Sequence, residues 1–446
     1  MFRQKFVILA QIAALVLIAL YLFVNVGFRS ATAPLTKVQP LDLDISPGGK
    51  SQISALVDDS SWPTLTPVPA ILSRENLTAH VLAILDPAAD TKLPTFKCPS
   101  LDLNRYKYLQ VEQDPSASSQ PPIRCFFALN LRNCLPLLPR LLGSILEAIR
   151  FLGPASCALS IVEGNSPDGT AEVLAALEPH LRKLGIRTYF TLNTTLDPLA
   201  KGNDRFSSLA ALRNMALAPL TNSPTSPDSA VAADDATVLF INDVALCPDD
   251  LLELTHQLHH QSADMACAMD WIGVSPPIFY DSYIARAING DLFFEIPPGP
   301  SWARAADLFW NEPLSRARFE SHQPFQVFAC WNGAVVFTAR PVVEGKVGFR
   351  AARSESGECH AGEPGLLCKD LWWEGYGRIM VVPGVNLEYS VEDGERIKKV
   401  KGFASEWVEE SDRGEKIEWL PPPEKVKCMP RFEEQSWRAW NETLGS

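Results

Sequence analysis

The stretch Val238-Leu239-Phe240-Ile241-Asn242-Asp243-Val244 is a run of four apolar residues followed at once by two polar ones. An apolar run of this length predicts a buried β-strand, which delivers Asn242 and Asp243 at its exit. Because hard divalent cations prefer oxygen ligands, Asp243 is the predicted carboxylate ligand of a metal ion. The alternative is that Asp243 caps the helix that follows.

Strand-like apolar runs alternate with helix-like runs on both sides of this stretch. The strand-like runs are 125–131, 157–162, 187–192 and 264–269, and the helix-like runs are 135–152, 171–184, 209–218 and 248–260. This alternation predicts a parallel α/β sheet with helices on both faces. Ligands of such sheets bind beyond the carboxyl ends of the strands, so polar residues at those positions are the candidate site.

A second polar turn, Glu163-Gly164-Asn165-Ser166-Pro167-Asp168, follows the strand-like run at 157–162. Glu163, Ser166 and Asp168 could face the ribose or base of a nucleotide, or Ser166 or Asp168 could simply cap the next helix. Arg213 could contact a diphosphate or form a surface salt bridge. Asn242 could then bind ribose, phosphate or metal-bound water.

Carboxylates and tryptophans occur together in the second half of the chain. They are Asp270-Trp271 after the run at 264–269, Trp331-Asn332 before an apolar strand at 335–337, then Glu363 and Asp370. Exposed tryptophans beside carboxylates suit sugar binding, because the apolar face of a sugar stacks on a ring while its hydroxyls meet the acids. Burial in the core is the alternative for any tryptophan.

The formal net charge of −12 argues against a general nucleic-acid binder, which needs excess Lys and Arg to displace counterions. It does not exclude an anionic small ligand, which a metal ion, local cations and backbone N–H groups can bind. Ten cysteines are too few for a fold built on disulfides. Cys359 and Cys368 are the predicted bridge, whereas Cys125 and Cys157 are predicted to be buried thiols.

Residues 6–28 form a nearly continuous apolar segment that is long enough to span a bilayer as a helix. Arg3 and Lys5 before it, against Arg29 after it, favour a cytoplasmic N-terminus. The alternative is a signal peptide cleaved near residues 30–33. Both interpretations place the rest of the chain outside the cytosol.

The predicted organisation is a cytoplasmic tail at 1–5, the anchor at 6–28, a largely irregular Pro-, Ser- and Asp-rich stem at 29–120, the main domain at 121–390 and a C-terminal tail at 391–446. This tail is expected either to be irregular or to wrap the surface of the main domain. A helical patch around residues 79–84 is expected to dock on the main domain. Three sequons agree with a non-cytosolic location and predict glycosylation at Asn76, Asn193 and Asn441.

Six short motifs in chain order carry a resemblance to a known family. They are Ser160-Ile161-Val162-Glu163 with Ser166 and Asp168-Gly169-Thr170, Arg213-Asn214, Phe240-Ile241-Asn242-Asp243-Val244, Met269-Asp270-Trp271, Cys330-Trp331-Asn332-Gly333 and Cys368-Lys369-Asp370-Leu371-Trp372. Over residues 123–389 the chain resembles the fungal capsule-associated α-1,3-mannosyltransferases. Gly362 stands where that family usually has a Ser before the residue that matches Glu363.

The resemblance implies a GT-A-like, Rossmann-type fold in a single-pass type II Golgi membrane enzyme with a lumenal catalytic domain. Such an enzyme moves mannose from GDP-mannose to a glycan acceptor, with Mn²⁺ or another divalent cation as cofactor. The expected catalytic residues are Asp243, which also holds the metal, Asp270, Glu363 and Asp370; those of the donor site are Glu163, Ser166, Asp168, Arg213 and Asn242; those of the acceptor site are Trp271, Trp331 and Asn332.

An α-linked donor and an α-linked product imply that the configuration is retained. The alternatives are a transferase of the same fold that uses another nucleotide-sugar, and a non-catalytic, membrane-tethered carbohydrate-binding protein.

Overall fold

A ten-stranded mixed sheet is the centre of the structure, a computed structural model that describes residues 70–111, 121–222, 226, 229–299 and 301–445. The predicted tail at 1–5, the predicted anchor at 6–28 and most of the predicted stem, namely residues 29–69 and 112–120, lie outside this described part. Within the described part, no helix combines the length and the apolar character that crossing a membrane requires.

Twelve strands occur in the described residues. They are β1 (Ile123–Leu131), β2 (Cys157–Glu163), β3 (Arg187–Thr191), β4 (Ala232–Ile241), β5 (Met265–Ile272), β6 (Ile278–Phe279), β7 (Arg286–Ala287), β8 (Phe325–Ala329), β9 (Ala334–Thr338), β10 (Ile379–Leu387), β11 (Lys425–Arg431) and β12 (Glu434–Ala439). The sheet order is β3-β2-β1-β4-β9-β5-β10-β8-β7, with β6 paired to β5. Strands β11 and β12 form a separate antiparallel hairpin.

The predicted parallel arrangement is confirmed for the first four strands along the chain and not for the rest of the sheet. Strands β3, β2, β1 and β4 are parallel, as their alternation with helices predicts. Strand β9, however, lies between β4 and β5 and runs antiparallel to both. Strand β10 is parallel to β5, whereas β8 is antiparallel to β10. The apolar run at 335–337 predicted a strand, but a short apolar run carries no information about direction.

The helices of the described residues cover both faces of the sheet. They are α1 (Arg74–Leu85), α2 (Leu103–Tyr106), α3 (Leu138–Leu152), α4 (Thr170–Lys183), α5 (Arg205–Thr221), α6 (Pro248–His260), α7 (Pro313–Glu320), α8 (Arg340–Val343), α9 (Glu363–Trp373), α10 (Val391–Lys401) and α11 (Val408–Asp412). Side chains of α1, α3, α4 and α6 share one apolar cluster, and those of α5 and α9 share another.

Strand β1 shows how the two apolar clusters are separated. Phe127 and Leu129 belong to the cluster with α3 and α4, whereas Phe126 and Ala128 belong to the cluster with α5. Successive side chains of a strand point to opposite faces, so a strand that is buried on both faces is apolar throughout.

The N-terminal described segment packs on the main domain. Helix α1 includes the predicted helical patch and contacts α3 and α4. A disulfide joins Cys98 to Cys247, at the start of α6. Residues 70–111 are therefore folded onto the domain, although the sequence suggested a largely irregular stem up to residue 120.

The C-terminal region after residue 391 is more regular than predicted. It contains α10, α11 and the β11–β12 hairpin, so the first alternative, an irregular tail, is wrong. The bonds of the hairpin to the main domain fit the second alternative, a tail that wraps the surface. The predicted Cys359–Cys368 bridge is also wrong, because Cys359 pairs with Cys428 of β11 and Cys368 is a buried thiol on α9. A third disulfide joins Cys267 to Cys330. The prediction that Cys125 and Cys157 are buried thiols is confirmed.

Candidate active site

The predicted site residues of the first half follow strands that end at one edge of the sheet. Strands β1, β2 and β4 are parallel, so Glu163 and Asp243 lie at the same edge. Strands β4 and β5 each pair antiparallel with β9 and therefore run in the same direction. Asp270, near the end of β5, consequently belongs to this edge as well.

Asp243 is an exposed carboxylate at the exit of β4. Its side chain makes no hydrogen bond or ion pair with another residue of the described ranges. Partial desolvation raises the pKa of Asp243, and the charge of Arg213 opposes this shift. The capping alternative does not apply, since the acidic side chain that caps α6 is Asp250, which accepts from the N–H of Cys247 at 2.8 Å.

Asn242 is fixed by the turn that precedes β9. Its backbone N–H donates to the carbonyl of Gly333 at 2.9 Å. Its side-chain Oδ1 accepts from the indole N–H of Trp331 at 3.1 Å. Asn242 is half-buried, and these two bonds orient the backbone that presents Asp243.

Arg213, on α5, provides a fixed positive charge close to Asp243. Its Nε donates to Oε1 of Glu363 at 2.8 Å. Its guanidinium lies 4.6 Å from the centroid of the Trp331 ring, with Phe240 and Phe349 also within cation–π distance. Its Nη1 is buried without a hydrogen-bond partner among the described residues. The predicted surface salt bridge is thus a buried one.

Two carboxyl groups, Asp270 and Asp281, lie side by side beneath this site. The N–H of Asp281 donates to Oδ1 of Asp270 at 3.3 Å, and the hydroxyl of Tyr389 donates to Oδ2 at 2.5 Å. Burial, followed by the charge of Asp281, raises the pKa of Asp270 well above its usual value. Burial also raises the pKa of Asp281 to about 6. Asp270 is fully buried, whereas Asp281 remains partly accessible and is the better candidate for ligand contact.

The tryptophans predicted to stack on a sugar are buried. Trp271 and Trp331 are each only 2% exposed, so the expectation of exposed rings is wrong for both. The indole of Trp271 donates to Asn386, and that of Trp331 packs on Arg213. Asn332 is also fully buried, and its amide donates to the carbonyl of Ala268 at 2.8 Å. These three residues support the site from the core and are too buried to contact an acceptor directly.

The Glu163 turn is built by backbone hydrogen bonds. The fully buried Glu163 carboxylate accepts from the N–H groups of Asn165, Ser166 and Asn193 at 3.1, 2.7 and 3.0 Å. Its burial does not fit the predicted contact with ribose or base. Its bonds instead hold the exits of β2 and β3 together.

Ser166 and Asp168 complete that turn. Ser166 Oγ accepts from the N–H of Asn133 at 2.8 Å. Asp168 accepts from the N–H groups of Leu135 and Thr170, each at 3.0 Å, and thereby binds the first residue of α4. The capping alternative therefore fits Asp168, which keeps partial exposure, whereas Ser166 bonds to the loop after β1 and not to α4.

Glu363 and Asp370 lie on α9 but in different surroundings. Glu363, the first residue of α9, reaches Arg213 and so belongs to the site. Asp370, two turns further along, binds the guanidinium of Arg350 through both oxygens, and Arg350 also binds Glu358. This pairing does not fit the predicted catalytic role of Asp370.

Several residues of this site have no role among the sequence-based expectations. Asp281 lies beside Asp270, and the exposed ring of Tyr280 precedes it. Tyr389 donates to Asp270, and Arg205, at the start of α5, acts electrostatically on Tyr280. The signal available in the sequence was the pair Tyr280-Asp281 after Pro276-Pro277, where a turn can return the chain to Asp270.

The donor set at Asp243 fits a divalent metal ion. An exposed carboxylate without a protein partner in the described part offers a hard oxygen ligand, and phosphate oxygens of a ligand can complete the coordination. Cys247, Asp249 and Asp250 also converge, but Cys247 is in a disulfide and Asp250 binds Lys398 at 2.5 Å. That second group is therefore not a metal site.

The asparagines of the three sequons, Asn76, Asn193 and Asn441, all have exposed side chains. Asn193 lies just beyond β3, where its N–H donates to Glu163. Glycosylation at these positions remains a prediction.

Comparison with known proteins identifies relatives that share most of this chain. The family described as cryptococcal mannosyltransferase 1 matches residues 124–370. An alpha-1,3-mannosyltransferase of Cryptococcus neoformans is 33% identical over an alignment of 408 residues, and the alignment covers 86% of this chain and 85% of that protein.

Two solved structures show weaker likeness. Staphylococcus aureus TarS 1–349 in complex with UDP is 13% identical with a TM-score of 0.34, over 60% of this chain and 61% of TarS. The mannosyltransferase PcManGT of Pyrobaculum calidifontis, in complex with GDP-Man and Mn²⁺, is 14% identical with a TM-score of 0.35, over 70% and 66% of the two chains. TM-scores this low do not establish a shared fold.

The family match covers more than half of the chain, and the cryptococcal relative aligns along most of both sequences. The carboxylate at the exit of β4, the buried arginine beside it and the acid pair beneath it all lie within or next to the matched region. The chain belongs to the cryptococcal mannosyltransferase family and is a glycosyltransferase.

Proposed function

We propose that this chain is a metal-dependent, retaining α-1,3-mannosyltransferase with a GT-A-like fold, which transfers mannose from GDP-mannose to a glycan acceptor. The family membership supports mannosyl transfer, and the name of the cryptococcal relative supports the α-1,3 linkage. The observation that carries the assignment of a metal ion and a diphosphate is Asp243, an exposed carboxylate at the exit of a central strand, close to the buried charge of Arg213.

Asp243 would hold Mn²⁺ or another divalent cation together with diphosphate oxygens of the donor. A bound cation at this position supplies electrostatic stabilisation of the departing diphosphate. Arg213 adds a positive charge whose position is fixed by Glu363 and by the rings around it, so no reorganisation is needed when the leaving group becomes charged.

Retention of configuration fits the acids of this site. The acceptor hydroxyl can attack from the face of the leaving group, so that the new glycosidic bond forms as the bond to the diphosphate breaks. Its proton passes to a diphosphate oxygen, and no protein base is required. Asp270, one of the expected catalytic residues, is fully buried and bound by Tyr389, which suits support of the site better than proton transfer.

We also place the enzyme in the Golgi membrane as a single-pass type II protein anchored by residues 6–28. Three disulfides among the described residues support an oxidising, non-cytosolic location. Protease protection of microsomes tests the orientation: the catalytic domain should be protected until detergent is added. Degradation without detergent would contradict a lumenal domain.

The donor and the metal are tested together with the full-length enzyme in detergent. GDP release from GDP-mannose is measured with a mannoside acceptor, with and without Mn²⁺, and UDP- and CMP-sugars are screened in parallel. Asp243→Ala and Asp243→Asn should each lose at least about a hundredfold in kcat/KM. Asp90→Ala, an exposed aspartate on the N-terminal described segment, is the matched control and should keep full activity.

Undiminished turnover in Asp243→Ala would remove the metal assignment. Preference for a UDP-sugar would select the alternative donor. If nucleotide-sugars neither turn over nor raise the melting temperature, a carbohydrate-binding protein without catalysis would be favoured.

A further inference from the structure

A sugar-binding site usually needs an exposed ring, and the predicted rings of Trp271 and Trp331 are buried. Among the described residues, the exposed aromatic side chains are Tyr108, Tyr280, Trp302, Trp373 and Trp437. Desolvation and the neighbouring carboxylates of Asp270, Asp281 and Asp243 raise the pKa of Tyr280. Tyr280 therefore has the exposure that Trp271 and Trp331 lack.

The other exposed rings have different neighbours. Tyr108 bonds to His256, at the far end of α6 from Cys247. Trp302 packs on Phe432, and Trp373 packs on Trp440. Trp437 lies against the ammonium of Lys427.

The ring of Tyr280 is held rigidly from one side. The β5–β6 pairing brings the chain back, and the N–H of Tyr280 donates to the carbonyl of Asp270 at 3.0 Å. Its ring meets that of Tyr389 in an edge-on arrangement, with centroids 5.0 Å apart at 67°. Tyr389 is in turn fixed by its bond to Asp270. Half of Tyr280 remains exposed, with a relative exposure of 50%.

The next residue in the chain, Asp281, contributes a carboxylate that is fixed in position. Its Oδ2 accepts from the N–H of Asn332 at 2.9 Å, which fixes the side chain without burying it fully. A rigid ring next to a fixed carboxylate is the combination that binds a pyranose, because the apolar sugar face stacks and a hydroxyl donates to the acid.

The charges around Tyr280 indicate what kind of sugar fits. Asp270 and Asp281 adjoin Tyr280, and Asp270 is fully buried, so the accessible charge is the carboxylate of Asp281. Asp243 is paired with a metal ion in the proposed function, and Arg213 is already bound to Glu363. The carboxylate of Asp281 would repel an acidic sugar, whereas a neutral sugar would find a hydrogen-bond acceptor.

We propose that Tyr280 and Asp281 form the acceptor subsite, in which the Tyr280 ring stacks on a neutral hexopyranoside and the Asp281 carboxylate accepts one of its hydroxyls. This inference rests on the proposed function and adds the class of acceptor and the residues that select it. Asp243 and Arg213 remain on the donor side.

Steady-state kinetics of the full-length enzyme separates the two substrates. With GDP-mannose and Mn²⁺ saturating, Tyr280→Ala should raise the acceptor KM about tenfold, and the KM for GDP-mannose much less. Tyr280→Phe should recover most of the acceptor affinity lost in Tyr280→Ala, because it keeps the ring. Asp281→Asn should also raise the acceptor KM. Tyr108→Ala, which removes an exposed tyrosine at the far end of α6, is the matched control and should change neither constant.

A rise confined to the KM for GDP-mannose would overturn the inference while the proposed function stands. An unchanged acceptor KM in Tyr280→Ala would do the same. A wild-type enzyme that prefers a glucuronide to a mannoside as acceptor would overturn the neutral-sugar assignment.

A binding measurement covers the case in which the wild-type protein shows no transfer at all, so that the proposed function fails. Saturation-transfer NMR with methyl α-mannoside then tests the subsite alone. Binding by wild type that is lost in Tyr280→Ala supports the inference. Absence of binding to wild type, or equal binding by both proteins, overturns it.

Discussion

Arg213 and Glu363 form a hydrogen-bonded ion pair, Nε to Oε1 at 2.8 Å, in which both side chains are largely buried. The two residues are 150 positions apart in the sequence, and their contact ties α5 to the start of α9. The ring of Trp331 also packs against the guanidinium of Arg213. The pair therefore connects α5 to α9 and also holds the positive charge of Arg213 next to the proposed donor site.

Glu363→Ala should lower the free energy of unfolding by about 3 kcal/mol, because it leaves the buried charge of Arg213 without its partner. Glu363→Gln should cost less, since its amide oxygen can still accept the Nε–H. Chemical denaturation measures both. Glu395→Ala, which breaks the exposed Lys399–Glu395 pair, is the control and should cost less than about 1 kcal/mol. Equal losses for Glu363→Ala and Glu395→Ala would show that burial does not strengthen the first pair.

The stability of the protein should depend on pH through Asp281. Burial raises the pKa of Asp281 to about 6 in the folded state, whereas an unfolded aspartate titrates near pH 3.9. Between about pH 4 and 6 the folded state keeps a proton that the unfolded state has released, so the free energy of unfolding falls as the pH rises through this window. Asp281→Asn removes this loss. Relative to wild type, the variant should gain stability from pH 4 to 6 and hold that gain above pH 6.

Unfolding curves of wild type and Asp281→Asn at intervals from pH 4 to 8 measure this difference. The neighbouring Asp270 changes stability in the same direction. The charge of Asp281 raises the pKa of Asp270. Removing that charge in Asp281→Asn lowers the pKa of Asp270 and so reduces the loss of stability at higher pH. A constant difference between the two proteins across the whole range would contradict the raised pKa of Asp281.

The sequence predicted the exit of β4 correctly because everything needed lies within seven residues. Four apolar residues are buried as a strand, and the next two are polar and cannot follow them into the core. Asp281 could not be identified in this way. It meets Asp270 only because β6 returns the chain after an exposed loop, and no periodicity in the sequence specifies that return.

The sequence pattern identified the residues of the Glu163 turn but not their role. Polar residues after a buried strand give the same pattern whether they bind a ligand or the backbone. The partners of Glu163 include the N–H of Asn193, thirty residues away, and backbone donors leave no trace in the sequence. The same limit applies to Trp271 and Trp331, because a tryptophan beside a carboxylate looks alike whether its ring is exposed or buried.

Glu163→Gln should therefore behave as a structural variant. An amide has one oxygen instead of two, so at least one of the three N–H groups would lose its acceptor, at a cost of about 1–3 kcal/mol. Thermal unfolding and the KM for GDP-mannose are measured together. We expect the melting temperature to fall together with any rise in KM. A raised KM at unchanged stability would restore the predicted contact with the nucleotide. Glu355→Gln, at an exposed position, is the control.

The bridge between Cys359 and Cys428 joins the loop before α9 to the C-terminal hairpin. Peptide mapping under non-reducing conditions should find these two cysteines linked, and Cys368→Ala should leave the link intact because Cys368 is a buried thiol. A Cys359–Cys368 peptide would contradict this pairing. The double variant Cys359→Ser with Cys428→Ser should lose about 2–4 kcal/mol of unfolding free energy, as expected for a bridge that closes a long loop.

The hairpin should nevertheless stay in place in that double variant, because other bonds hold it. Arg286 donates from Nε to the carbonyl of Lys427 at 2.7 Å, and the N–H of Lys427 donates to the carbonyl of Gly290 at 2.8 Å. Hydrogen exchange measures this directly: the amide of Lys427 should exchange faster than in wild type but remain slower than the amides of an unfolded chain. Full loss of protection throughout β11 would mean that the disulfide alone keeps the hairpin on the domain, and that Arg286 contributes little to its attachment.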